Sequence, residues 1–281
     1  MIAFVGSVFS PAYFRARRRG LLADPTAHCG FNVVVHGPRG SAWAMSEYRG
    51  GDVERSADVF VLGRNRITRD AGGITLDIDE RTAPWGRSLR GRVRLVPHAW
   101  MDRQFALDER GQHRWWPVAP RASIEVDMAA PAMQFVGAGY YDCNGGIEPL
   151  ELGLAGWTWS RSAAVDRTTL LYDVEDRDGR RREIGLCYRD DGRVDAIEAP
   201  RVATLGRSRW GLPRTSRATD VGSATVRRTL VDSPFYARSL VDTDLGGRQA
   251  IGVHEVVDLR RFARVSTQLM LPFRIRGVGW W

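Results

Sequence analysis

The 281-residue chain carries a formal net charge of +8, with 43% hydrophobic and 26% charged residues, a balance that supports a folded globular protein with a sizeable core. No apolar run approaches the ~18–20 residues of a membrane-spanning helix, and three cysteines at irregular spacing point away from a disulfide framework or a zinc site. The basic charge is all arginine and is spread along the chain; with no helix-turn-helix or RNP-like pattern it predicts no nucleic-acid partner, while weak attraction to an anionic membrane surface fits it equally well.

In chain order, Met1 to Arg19 opens with a short apolar run followed by its arginines, the reverse of a secretory signal. It reads as a strand and then a helix over 11–19, in a cytoplasmic protein. "FNVVVH" and "SAWAMSEY" flank the turn "GPRG", and "VFVLGRNRITR" and "ITLDIDER" flank "DAGG". "LRGRVRLV" alternates, with Arg90, Arg92 and Arg94 facing one way and Leu89, Val93 and Leu95 the other. "LLYDVE", "REIGLCYR" and "VDAIEA" are separated by "DRDG" and "DDGR", and a second short helix is expected near 259–265. Period-two alternation with Gly/Asp turns at short spacing predicts an all-β, antiparallel protein. Alternation lapses into Pro, Gly, Ser and Arg over 200–216. This predicts an N-terminal β domain over 1–200 and a smaller C-terminal one over 201–281. Barrels and sandwiches of this kind hold apolar ligands in the mouth or between sheets.

Cofactor motifs are missing: there is no P-loop, "GAGYYD" runs into strand-like sequence instead of a helix, and no serine sits in a nucleophile elbow. "HEVVD" at 254–258 lacks the second histidine of a zincin, so no metal or cofactor is expected. Two aromatic-acidic clusters remain, "VPHAWMD" at 96–102 and "GAGYYDCN" at 137–144. In a strand, residues two apart share a face, which pairs His98 with Trp100 and Tyr140 with Asp142; Trp157 and Trp159 in "GWTWSR" share a face likewise. Taken singly, each pair is accounted for by a core histidine or a turn aspartate among packing rings. Taken together, they suit one kind of chemistry. A carboxylic acid among apolar rings has its pKa raised by desolvation, and aromatic faces stabilise a nearby cation by roughly 0.5–2 kcal/mol each. Such a group can protonate an alkene to a carbocation. An unperturbed Asp, with a pKa of ~3.9, is under about 0.1% protonated at pH 7, so the chemistry needs that upward shift.

The opening "MIAFVGSVFSP", with "HCGFNVVVHGP", "WAMSE", "VPHAW", "GYYDCNGG", "SPFYARS", "VHEVVDLRRF" and "LPFRIR", resembles the carotenoid 1,2-hydratases, or hydroxyneurosporene synthases, over essentially the whole chain. The resemblance implies two lipocalin-like β domains with an apolar pocket. It also implies addition of water across the terminal 1,2 double bond of acyclic carotenes such as neurosporene and lycopene. Many wider relatives carry Asp-His-Asn-Trp-Gly where this chain has "DCNGG"; Asp142, Asn144 and Gly146 match, while Cys143 and Gly145 depart. The implied catalytic set is Asp142 as acid with Tyr140, His98 and Trp100, and the implied substrate-binding rings are Tyr141, Trp157 and Trp159. The expected sequence is protonation of carbon 2 by Asp142, a tertiary cation at carbon 1, and water capture. His98 or the new carboxylate then takes the last proton. No cofactor is needed, and a membrane-dissolved substrate gives the basic surface a use in peripheral docking on the inner or intracytoplasmic membrane. Two rivals use the same pocket: a non-enzymatic carrier of a carotenoid or other isoprenoid, and a related cofactor-free cyclase or pericyclase.

Overall fold

The structure, a computed structural model, describes residues 1–7, 9–20, 24–37, 40–189, 192–220, 222–245 and 249–277. Two expected turns, at 37–40 and 190–193, include residues outside this set. The chain divides into two compact units, each discontinuous in sequence. One comprises Met1–Trp100, Ala122–Tyr140 and Gln268–Trp281; the other comprises Met101–Arg121 and Tyr141–Thr267.

The first unit begins with β1 (Ile2–Val5), helix α1 (Pro11–Arg18), β2 (Cys29–Gly37) and β3 (Gly40–Tyr48). Ser10 caps α1 by accepting from the Tyr13 N–H at 3.2 Å, and Pro11 fits the first turn, where no N–H is needed. Glu47 adds a second anchor, accepting from Ser10 Oγ at 2.5 Å and the Ala12 N–H at 3.0 Å. Next come β4 (Val53–Arg55), β5 (Val59–Leu62), β6 (Asn65–Asp70), β7 (Gly73–Arg81) and β8 (Ser88–Pro97), an antiparallel run paired in chain order. β8 alternates as its sequence predicts: Leu89, Val93 and Leu95 are buried, while Arg92 pairs with Asp77 and Arg94 with Asp70 on the wet face. Part of the positive charge is thus matched within the sheet, in exposed pairs that solvent screens and that add little to stability. Cys29, Phe31 and Val33 take alternate positions on β2 and join Leu62, Ile78, Leu89 and Val93 in the core. Glu80 is buried beneath this sheet and fully served by Ser46 Oγ (2.7 Å), Tyr48 Oη (2.5 Å) and Asn65 Nδ2 (2.8 Å), so its burial is compensated.

β9 (Phe105–Ala106), β10 (His113–Ala130) and β11 (Ala132–Gly146) follow, and β10 and β11 contribute residues to both units. The second unit then holds α2 (Leu150–Gly153), β12 (Leu154–Ala163), β13 (Arg167–Asp176), β14 (Arg181–Arg189), β15 (Val194–Ala196), β16 (Arg201–Arg207), β17 (Pro213–Ala218), β18 (Thr225–Asp232), β19 (Tyr236–Asp244) and β20 (Gln249–Asp258). Among the described residues, seven of these strands form one antiparallel sheet in the order β15-β14-β13-β12-β20-β19-β18, and β16 pairs with β17. The 200–216 stretch, where alternation lapses, forms most of this hairpin. Asp258 caps the short helix α3 (Leu259–Phe262) from the end of β20, accepting from the Arg261 N–H at 2.8 Å; α4 (Val265–Met270) and β21 (Arg276–Gly277) complete the described elements. The protein is therefore all-β with few short helices, as its sequence predicts.

The hairpin is tied to one face of the seven-stranded sheet. His254, 1% exposed, holds the Thr215 carbonyl at 2.6 Å through Nε2, Arg214 donates to Ser239 Oγ at 3.3 Å, and Thr243 donates to the Arg217 carbonyl at 3.1 Å. Burial pushes the His254 pKa down to about 4. An unfolded chain takes up this proton below about pH 6.5 while the folded one does not, so stability present at neutral pH is lost as pH falls toward 4. The full effect is about 3 kcal/mol at about 1.36 kcal/mol per pH unit. Urea unfolding at pH 7 and pH 4.5 should therefore show a steeper loss in the native protein than in His254→Gln. Parallel losses would remove His254 as the cause.

Candidate active site

Strand register decides which side chains meet on the other face of the seven-stranded sheet. Residues directly opposite one another on adjacent strands share a face. Trp159 on β12 lies opposite Tyr172 on β13 and Glu255 on β20, Tyr172 lies opposite Ile184 on β14, and Glu255 lies opposite Arg238 on β19. One step along each strand are Ser160, Leu171, His254 and Ser239, and the last two hold the hairpin. The row Ile184–Tyr172–Trp159–Glu255–Arg238 therefore faces away from the hairpin.

Asp142 approaches this row from the end of β11. The indole N–H of Trp115, a residue with no exposed surface, donates to Asp142 Oδ2 at 2.9 Å. The Trp115 ring stands edge-on to Tyr172 with centroids 5.1 Å apart, and Phe105, its partner across β9–β10, lies at 5.8 Å. Burial, and then the charges of Asp142 and Glu255, hold the Tyr172 hydroxyl far above its ordinary pKa, so it stays neutral as a donor. Two carboxylates thus act electrostatically on one buried phenol. Glu255 is salt-bridged to Arg238, and the Tyr236 hydroxyl is bonded to both. Burial works against the Arg238 charge, yet Glu255 and Tyr236 hold its pKa above the ordinary value, so the guanidinium stays charged.

The residues singled out from the sequence fall as follows. Asp142 is half-buried, and Tyr140 precedes it by two positions in the same strand. Tyr141 lies between them, so alternation turns it the other way, where its hydroxyl is 3.0 Å from Cys143 Sγ. Trp157 and Trp159 share a face of β12 as expected, Trp159 buried and Trp157 half-buried. His98 and Trp100 follow the last paired residue of β8, Pro97, so the strand alternation that coupled them does not extend that far. His98 is exposed, with Nε2 3.3 Å from Ser123 Oγ, and the half-buried Trp100 ring carries the Arg69 guanidinium at 4.8 Å. Trp100 thus presents an electron-rich face that already holds a cation. Sequence reading missed Trp115, Tyr172, Glu255 and Arg238. The signals were present in "RWWP", "LLYDV" and "HEVVD", where alternation sends His254 to the hairpin and Glu255 to the aromatic row.

The carotenoid hydratase CrtC family model matches residues 1–281. The chain belongs to the carotenoid hydratase family. It is 42% identical to an acyclic carotenoid 1,2-hydratase of Thiocapsa roseopersicina over 99% of this chain and 69% of that protein. A second acyclic carotenoid 1,2-hydratase, from Cereibacter sphaeroides, is 36% identical over all of this chain and 99% of its own length. These relatives are hydro-lyases by name. Among solved structures, the crystal structure of a putative AttH from Nitrosomonas europaea is similar in fold, with a TM-score of 0.56 at 13% identity, over 82% of this chain and 80% of that one. CghA bound to Sch210972 gives a TM-score of 0.50 at 11% identity, over 83% and 84%. The lipocalin-like fold class follows from these likenesses. No helix of the described residues is long and apolar enough to cross a membrane.

Proposed function

We propose that this protein is an acyclic carotenoid 1,2-hydratase that adds water across the terminal C1=C2 bond of acyclic carotenes such as neurosporene and lycopene, with Asp142 as proton donor. The observation that supports the reading is the buried Trp115 indole, which donates to Asp142 and stands edge-on to Tyr172. The protonated carboxyl delivers its proton to carbon 2, and the alkene π pair forms the new C–H bond. The positive charge falls on tertiary carbon 1, where aromatic faces stabilise it; Trp100 and Tyr140, joined by Trp157 or Trp159, are the candidates carried by the resemblance. A water lone pair forms the C–O bond, and a base removes the excess proton; His98 and the Asp142 carboxylate are the candidates carried by the resemblance. The net change is one alkene and one water to one tertiary alcohol, with no electron carrier or metal required. The 41 arginines suit peripheral docking on an anionic cytoplasmic membrane face, from which a polyene end can enter.

The direct test incubates purified protein with lycopene and with neurosporene, then separates the products. The expected result is a 1-hydroxy product heavier by one water. Stoichiometric return of unchanged carotene would indicate a carrier, and an isomer of unchanged mass a pericyclase.

A further inference from the structure

We propose that Glu255 is the base that takes the proton from the water added at carbon 1, aimed by its contacts with Arg238 and Tyr236. The inference rests on the hydratase reading above and completes its second half.

Four observations carry it. Register places Glu255 beside Trp159 and one strand further from Tyr172, on the face away from the hairpin. Tyr172 is packed against Trp115, which holds Asp142, so the two carboxylates flank one aromatic group. Glu255 is tied to Arg238 and Tyr236, yet its side chain keeps 17% exposure, enough for a water to reach it. The partners also differ: Asp142 accepts from the Trp115 indole N–H, while Glu255 is paired with the Arg238 guanidinium.

The chemistry tolerates a weak base. Water bound to a tertiary carbocation is a strong acid, so a carboxylate stabilised by arginine can still accept its proton. Inside an aromatic-lined site little bulk water is available to do so, and an oriented acceptor also fixes the attacking oxygen. The balance is complete. Asp142 loses its proton to carbon 2, water forms the bond to carbon 1, and Glu255 gains the proton released by the oxonium. Exchange with solvent between turnovers returns a proton to Asp142 and removes the one on Glu255, giving a net reaction of water addition alone.

The test separates the two halves of the reaction in D₂O. Without the base, Asp142 still protonates and deprotonates carbon 2, so recovered carotene acquires deuterium even when no alcohol forms. Glu255→Gln is therefore expected to lower hydration at least about 100-fold while deuterium exchange into recovered substrate continues. Glu255→Asp keeps the charge on Arg238 but withdraws the carboxylate, and should raise the ratio of exchange to hydration. It serves where the Gln variant fails to fold. Hydration at the native rate in a folded variant, or equal loss of exchange and hydration, would overturn the assignment. Native protein that forms no alcohol would instead overturn the hydratase reading itself.

Discussion

Asp142→Asn is expected to lower hydration by on the order of 10³-fold or more, the scale of a lost general acid, while leaving thermal stability close to native. The asparagine amide oxygen can still accept the Trp115 indole N–H, so the bond at 2.9 Å and the ring packing behind it have an isosteric replacement. What the amide lacks is a proton it can give to carbon 2. Loss of rate with an unchanged melting temperature therefore isolates chemistry from folding. The same variant should also lose deuterium exchange into recovered carotene, in contrast to Glu255→Gln, because it fails before the cation forms. A carrier needs the rings and not the acid, so binding without turnover in both native and variant protein would favour that rival. Product formation above about a tenth of the native rate would remove Asp142 as the proton donor, since general-acid loss typically costs 10²–10⁴-fold.

The fold was legible wherever its cause was local. Leu89, Val93 and Leu95 alternate with Arg90, Arg92 and Arg94 because one face of β8 is dry and the other wet, and that pattern survives in any window of sequence. Ser10 and Pro11 announce α1 for a reason contained in four residues. The site was legible to the same extent. Asp142 and the Trp157–Trp159 pair lie within single strands, where period two suffices. Trp115 reaches Asp142 across 27 positions, and Glu255 meets Trp159 only through the register of β12 with β20. Alternation within "HEVVD" puts His254 and Glu255 on opposite faces, but register is set by turns and core packing elsewhere in the sheet, so which of the two faces the rings is not stated locally. His98 and Trp100 show the opposite error, in which alternation was extended past Pro97, the last residue of the strand. The two compact units escaped a linear reading for a related cause. Each is assembled from separated segments, and a chain that returns to an earlier unit leaves no change of composition at the crossing.

Hydration by the native protein in D₂O is expected to place one deuterium at carbon 2, and hydration in ¹⁸O-labelled water under argon to place the heavy oxygen in the tertiary hydroxyl at carbon 1. The two labels report the two bonds separately. If Asp142 protonates the alkene, the hydrogen delivered is the exchangeable hydrogen of a carboxyl group, which equilibrates with solvent between turnovers. If water captures the cation, the hydroxyl oxygen is solvent oxygen whatever group takes the last proton. An oxygenase draws its oxygen from O₂ and would stop under argon, and a pericyclic reaction yields an isomer with no added mass. The outcome is close to all or none, and it depends on neither the preferred carotene nor the identity of the base. A confirmed 1-hydroxy product lacking deuterium at carbon 2 would exclude proton transfer from an exchanging acid. One lacking ¹⁸O would exclude capture of solvent water and with it the hydratase reaction.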